Sequence, residues 1–476
     1  MIQKNFSTHS VCILSKYVCA CALLCCTVFS CQKEKFSTSD SDRLHFSSDT
    51  VIFDTIFTER GSITHWFKVY NRNRGTVRID DIYINQSSDN QFFMNVNGVQ
   101  GAVKNVEIAA GDSLFIFIQA LLNENALDTP RLHKDSIIFR YNNRTDNIIL
   151  AAWGQDAHVL KGQTVNQNTT WSGRKPYVIF DSLLIAENQT LTIEEGVCVY
   201  LHHKANVIVK GSLQLKGSLD KPVVFTTDRL EESFQTLPGQ WGSIIFDETS
   251  KGNVISYARI INGTNAVLLK ATQTPIDMRI ENSHIMNMSS HAIEARNAHV
   301  DCFNTVLANC GGYLAAFYGG RFAFTHTSLN NTPAFNRNTV ASVMVSNDDA
   351  SNVANFEASY FRNSIITGSQ RNEIQIKTKN IDDVLPVLFD NSLLRQTFTE
   401  KESVYYKDNT FITDTKLPVF SHAIKEPFSL DTLSQAINRG NLEYAQPFEF
   451  DILNNSRLVD QKPDLGAYEY FPITNE

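Results

Sequence analysis

A four-residue unit recurs along the second half of the chain: Asn282-Ser-His-Ile, Asn304-Thr-Val-Leu, His326-Thr-Ser-Leu, Asn363-Ser-Ile-Ile and Asn391-Ser-Leu-Leu. The first two intervals are 22 residues and the later ones 37 and 28, which reads as a constant coil plus loop insertions. Tyr257-Ala-Arg-Ile fits the same frame 25 residues upstream of Asn282. Five positions after the unit starts stand Asn262, Asn287, Asn309 and Asn331, with Gly368 at the next equivalent place. A coil this short cannot bury its apolar face alone and must stack on its neighbours. In a parallel stack, equivalent positions lie about 4.8 Å apart. Asparagine amides at that spacing can donate and accept along the column and satisfy turn carbonyls. The four asparagines are therefore read as a structural column, not as ligand contacts.

The residues before this repeat have the same texture. Short apolar runs at Leu191–Ile193, Val197–Leu201, Val207–Val209 and Leu213–Leu215 are each cut off by Gly, Asn or Lys, and helical periodicity is nearly absent. The segments "LTIEEG" at 191–196, "GSLQLKGSLDKPVVFTT" at 211–227 and "GQWGSIIF" at 239–246 resemble the right-handed parallel β-helix family. So do "LSQAINRGN" at 433–441 and "PDLGAYEYF" at 463–471, while "DILNNSRLVDQK" between them keeps the Arg457 of the family's tail but lacks its glycines. The resemblance implies a parallel solenoid over residues 158–471. It implies no activity, because one fold hosts many.

Residues 45–157 alternate apolar and polar positions between turn clusters, among them Asn71–Gly75, Ala110–Asp112 and Asn142–Asp146. This pattern predicts a β-sandwich. The order of "FKVYN", a turn and "TVRIDDI" resembles the immunoglobulin-like modules of the ASPM/SPD-2/Hydin group, which implies a spacer or interaction platform. The expected fold class is thus all-β, an N-terminal β-sandwich followed by a right-handed parallel β-helix.

Six of the nine cysteines fall in the first 31 residues. Lys4 and Lys16 are the only charged residues before Cys31, and Tyr17–Phe29 is almost wholly apolar or small. A basic start, a short apolar run and a small residue before a break read as a secretory signal over residues 1–30. Val28-Phe29-Ser30-Cys31 resembles a bacterial lipobox, which implies an acylated Cys31 and attachment to a membrane through lipid chains. Gln32-Lys33-Glu34-Lys35 resembles the charged export tags of Bacteroidetes surface lipoproteins, implying outer-membrane, cell-surface placement. Residues 31–44 form the lipidated N-terminus and a polar tether.

With a net charge of −8 and no basic cluster, nucleic acid is excluded as a partner. Polysaccharide hydrolysis needs two carboxylates about 5–10 Å apart, and lysis needs a basic residue beside a neutralising cation. Glu281, Glu294 and Asp301 do not share a column, and Asp247-Glu248 reads as a solvated strand end. Arg259 and Arg279 are groove cations at most. Convergence of three or more Asp, Glu, Arg, Lys or His in one groove would point to catalysis. His284, His291, His299 and His326 lack the compact spacing of a zinc site, and no cofactor is expected. Cys302 and Cys310 form a disulfide or stay as buried thiols, and Cys198 belongs in the core. "GGYLAAFYGG" at 311–320 places Tyr313, Phe317 and Tyr318 where aromatic rings could stack on sugars. Two function classes follow: a non-catalytic envelope lipoprotein whose β-helix binds a glycan or protein partner, or a polysaccharide lyase or hydrolase.

Overall fold

The computed structural model describes residues 35–85, 92–332, 340–348, 355–380, 382–412, 418–421 and 428–471. It is all-β and divides into two units. One runs to Glu124 and takes in Leu132–Gly154; the other comprises Asn125–Arg131 and everything from Gln155 onward.

The first unit is a sandwich of two five-stranded sheets. One sheet runs Leu44–Phe46, His65–Asn71, Ser113–Ala120, Phe92–Val96, Val99–Gln100; the other runs Thr50–Phe57, Arg144–Gln155, Arg131–Tyr141, Val77–Ile84, Val103–Ile108. Alternate residues such as Phe67, Val69, Ile116, Ile118, Phe139 and Leu150 fill the space between them. The predicted bend after Tyr141 is a two-residue turn with Asn142 and Asn143 both at positive φ, the conformation that matches strand twist in a hairpin. Residues 36–43, expected to be a free tether, instead lie along this unit. Phe36 bridges Thr76 in parallel and slides under the Arg78 guanidinium, and Asn142 Nδ2 donates to Ser39 O.

The second unit is a parallel β-helix in which each strand pairs with its equivalent one coil on. Three sheets result. Sheet A includes Cys198–Leu201, Val223–Thr227, Ala258–Ile261, His284–Met286, Val306–Ala308, Ser328–Asn331, Ile365–Gly368 and Leu393–Leu394. Sheet B includes Asn206–Val209, Ser243–Asp247, Asn265–Lys270, the first halves of Ile293–Phe303 and Ala315–Thr325, then Val343–Ser346 and Ile374–Lys377. Sheet C includes Ser212–Lys216, Asn253–Ser256, Ile276–Glu281, the later halves of the same two long strands, Ser359–Arg362 and Val387–Asp390. Inward residues stack as aliphatic and aromatic columns, with Phe317, Phe322, Phe324, Phe361 and Phe389 in mutual contact.

The repeat unit marks the corner between sheets C and A. Tyr257, Asn282, Asn304, His326, Asn363, Asn391 and Asp408 all sit there at φ between 45° and 50°. Asparagine tolerates this left-handed geometry best among residues with a Cβ, which explains why the unit so often begins with it. Asn304 Nδ2 donates to Asn282 Oδ1 at 3.1 Å, and Asn363 Nδ2 lies 3.1 Å from His326 Nε2. The second column stands at the corner from sheet A to sheet B. Asn262, Asn287 and Asn309 are left-handed there, and Asn287 Nδ2 reaches Asn262 Oδ1 at 3.5 Å. Asn331 leaves this geometry: its Oδ1 accepts from Cys310 N and its Nδ2 donates to Gly312 O.

Residues 428–471 fold back over the outer side of sheet A. Asn441 exchanges two hydrogen bonds with Asn363, Tyr444 Oη donates to Asp390, Phe450 O accepts from Asn304, and Tyr468 Oη lies 2.9 Å from His284 Nε2. Ile452, Ala467 and Tyr468 pack on Met286, Val306 and Ala308. Gly466 has φ +91°, and a Cβ there would stand 2.6 Å from Ser328 Oγ, so only glycine fits the crossing. Arg457 is the hub: it is fully buried, pairs with Glu469 at 3.3 Å, and donates to Asn304 Oδ1, Gly466 O and Ala467 O.

Candidate functional site

With sheet A covered, the outer faces of sheets B and C carry the candidate chemistry. Sheet B ends at Ile374–Lys377. The next coil supplies no strand to it; residues 396–405 cross that position as a loop and a short 3-10 turn at Lys401–Tyr405. Gln396 Oε1 accepts from Ile374 N, and Asn372 Oδ1 accepts from Thr397 N, which holds the loop at the sheet edge. A groove of about 730 Å³ lies here, lined by Tyr313, Gln375, Lys377, Gln396, Phe398 and Glu402 among others.

Its polar atoms are held by a small network. Tyr313 Oη lies 3.2 Å from Gln375 Oε1, spanning two coils. The Tyr313 ring stacks on the His291 imidazole at 5.5 Å, and its N–H donates to His291 Nδ1 at 2.9 Å. Burial pushes the His291 pKa below its ordinary range, so the imidazole acts as a neutral acceptor. Glu402 Oε2 accepts from both the N–H and the hydroxyl of Thr399, and is the only carboxylate among the described lining residues. Two aromatics, several amides, one cation and one acid make a lining suited to a polyhydroxylated ligand.

Of the aromatics singled out in the sequence, Tyr313 lines this groove. Tyr318 stands on the outer face of the same sheet, but Arg296 lies 4.2 Å above its ring and covers one side. Phe317 is a correction. It is buried and stacked on Phe322 at 4.1 Å, because alternation along Ala315–Thr325 turns it inward. Asn262, Asn287, Asn309 and Asn331 stay at the corners described above. Cys31 lies outside the described residues.

Sheet C holds a charged cluster that sequence reading missed. Asp277, His299 and Arg321 are direct neighbours in three successive coils, and Arg279 faces Asp301 beside them. His299 Nδ1 lies 3.1 Å from Asp277, and Nε2 lies 3.3 Å from Glu357. Arg321 grips Asp301 through two bonds of 2.8 and 3.1 Å, and Arg279 pairs with Glu281 at 2.7 Å. The signal was available: Asp277, His299 and Arg321 repeat at the same 22-residue step as Asn282, Asn304 and His326. Convergence of this kind was the expected mark of catalysis; here each arginine is engaged by its own carboxylate, while Asp277 and Glu357 both reach His299. Asp277 and Glu357 are 73% and 63% exposed.

The remaining candidates are structural. Glu248, just after the strand ending at Asp247, accepts from Thr272, Gln273 and Thr274 and holds the turn that follows the equivalent strand of the next coil. His284 is pushed down to about 4 by burial against the tail, and His326 is fully buried at the ladder. Among the described residues no group of His, Cys, Asp and Glu is arranged to hold a metal ion. Cys302 and Cys310 are free buried thiols, the latter pushed up to about 12 by burial. Cys198 is not core: Val199 points inward and Cys198 faces out of sheet A, half-buried.

No protein-family model matches the chain, and no curated protein matches it significantly. Among solved structures it is similar to two β-helix proteins. One is the catalytic unit of the thermostable GH87 α-1,3-glucanase from Streptomyces thermodiastaticus strain HF3-3, at 10% identity over 72% of this chain and 75% of that one, with a TM-score of 0.30. The other is pectate lyase Pel9A, at 14% identity over 66% and 88%, with a TM-score of 0.28. An ASH/PapD-like domain of human CEP192 matches 27% of this chain and 93% of its own at 9% identity, with a TM-score of 0.19. None of these carries an activity across.

Proposed function

We propose that this chain is a lipid-anchored cell-envelope protein of the Bacteroidetes surface type, whose β-helix binds a glycan without cleaving it. The groove at the end of sheet B carries the reading: Tyr313 and Phe398 supply ring faces, Gln375 and Gln396 supply amides, and Glu402 is already engaged by Thr399. A single occupied carboxylate leaves no acid–base pair there for hydrolysis. The N-terminal "VFSCQKEK" supplies the anchor and the outward address.

Purified protein should be retained by at least one member of a polysaccharide panel and release neither reducing ends nor unsaturated products. Tyr313→Ala and Phe398→Ala should each weaken retention by roughly threefold to tenfold. Retention unchanged in both variants would move the site elsewhere. Cys31→Ser should abolish incorporation of a radioactive fatty acid; a variant that still carries the label would rule out Cys31 as the anchor.

The second reading, a lyase or hydrolase, is favoured by the Asp277–His299–Glu357 cluster on sheet C. New reducing ends or unsaturated products that vanish in His299→Ala or Asp277→Asn would establish it.

A further inference from the structure

The sandwich unit exposes an aromatic face. Along His65–Asn71 the outward side chains are Trp66, Lys68 and Tyr70; opposite them on Ser113–Ala120 stand Phe117, Phe115 and Ser113. Phe93 and Asn95 extend the face on the next strand. Trp66, Phe93, Phe115 and Phe117 are 57%, 53%, 39% and 38% exposed. Trp66 touches Phe115 at 5.5 Å, Phe115 and Phe117 lie nearly parallel at 6.1 Å, and the Lys68 ammonium sits 4.4 Å over Phe115. The outward positions of this sheet carry no carboxylate, in a chain of net charge −8. Arg72 continues the same side of the strand, with its guanidinium over Tyr70. Asp40, Asp42 and Asp112 stand at the strand ends; Asp42 accepts from Ser37, and Asp112 from Ser113 N.

Four partly exposed aromatics offer on the order of 400 Å². A stable dimer needs about 800 Å² per partner, so a second copy does not fit the patch. Position supplies the occupant. Lys35 O accepts from Thr76 N, so only three residues, four Cα steps or about 14 Å at full extension, separate Lys35 from Cys31. The chain then enters the sandwich at Leu44–Phe46, the edge strand of the aromatic sheet itself. Tryptophan, phenylalanine and tyrosine with interspersed Lys and Arg are the side chains that favour a bilayer interface.

We infer that this face lies on the lipid bilayer, its aromatics among the acyl–headgroup boundary and Lys68 and Arg72 on anionic headgroups. The inference rests on the anchor reading for its tether length. A short tether and a weak interfacial patch act together, since each raises the effective concentration of the other at the surface.

The test uses the full chain carrying Cys31→Ser, so that no acyl group contributes, and vesicles of phosphatidylcholine with and without phosphatidylglycerol. The chain should co-sediment with the anionic vesicles, less so at high salt. The difference spectrum against the same chain with Trp66→Phe should show Trp66 emission shifted to the blue and quenched by brominated acyl chains. Trp66→Ala with Phe117→Ala should cut binding at least tenfold, and Lys68→Gln with Arg72→Gln should remove the salt dependence, both at unchanged thermal midpoint. Absent vesicle binding, an unquenched Trp66, self-association lost in the double-alanine variant, or polysaccharide retention lost in it would each overturn the inference. Fatty-acid labelling of the wild-type chain reports on the anchor separately: label without vesicle binding by the Cys31→Ser chain keeps the anchor and rejects the face.

Discussion

Arg457→Ala is expected to cost about 3–5 kcal/mol of stability and to free residues 428–471 from the solenoid. Removing one partner of a buried ion pair leaves the other charge unpaired in low dielectric, and that cost exceeds what the intact pair contributes. Here the loss is compounded, because the same guanidinium satisfies Asn304 Oδ1 and two backbone carbonyls. Urea unfolding should show the lower midpoint, and limited trypsin digestion should cut early at Arg439. Arg457→Lys should recover only part of the loss, since an ammonium cannot reach four acceptors from one planar fork. An unchanged midpoint together with an unchanged digestion pattern would mean that the hub is dispensable.

The same network is expected to contribute less to stability as pH rises from about 4 to about 8. Asp451, Asp464 and Glu469 share the single cation Arg457. Burial is the largest cause of the shifts, followed for Glu469 by its carboxylate neighbour Asp464; Glu469 is pushed up to about 8 and Asp464 to about 6. Unfolded, Glu469 would give up its proton near 4.5 and Asp464 near 3.8. Between those limits these two carboxyls bind more protons folded than unfolded, so their contribution is full below the lower values and declines toward the upper ones. Between pH 7 and 8.5, above the ordinary histidine range and so clear of the opposite effect of buried His284, the urea midpoint should fall, and Glu469→Gln should flatten that fall. A midpoint that rises across this range in the unmodified chain would refute the shared-proton picture.

The fold was legible because backbone geometry leaves a residue signature. The corner at Asn282, Asn304, Asn363 and Asn391 needs left-handed φ, and few residues tolerate it, so the corners printed a repeat on the sequence. The groove was only half legible. Tyr313 lies in a regular coil, but Phe398 and Gln396 come from an irregular segment where no period places them. Phe317 was misread because three aromatics within six residues do not say which face each takes until the strand's register is known. Asp277 has no acidic neighbour in its column to mark it, because its column partners are His299 and Arg321. Arg457 was recognisable as part of a closing segment, but its burial depends on contacts with Asn304, 153 residues away, which local pattern cannot encode.

The returning tail alters how the solenoid comes apart. A plain stack of coils couples each turn only to its neighbours, so its last turn can fray alone and the loss can travel inward one step at a time. Here Tyr444 is fastened to the coil of Asp390, Asn441 to that of Asn363, and Tyr468 to that of His284. Fraying of the terminal turn therefore strains bonds several turns upstream, and a one-dimensional melting process becomes a concerted one. The strap is also synthesised after the coils it fastens, so they are complete before it can close over them.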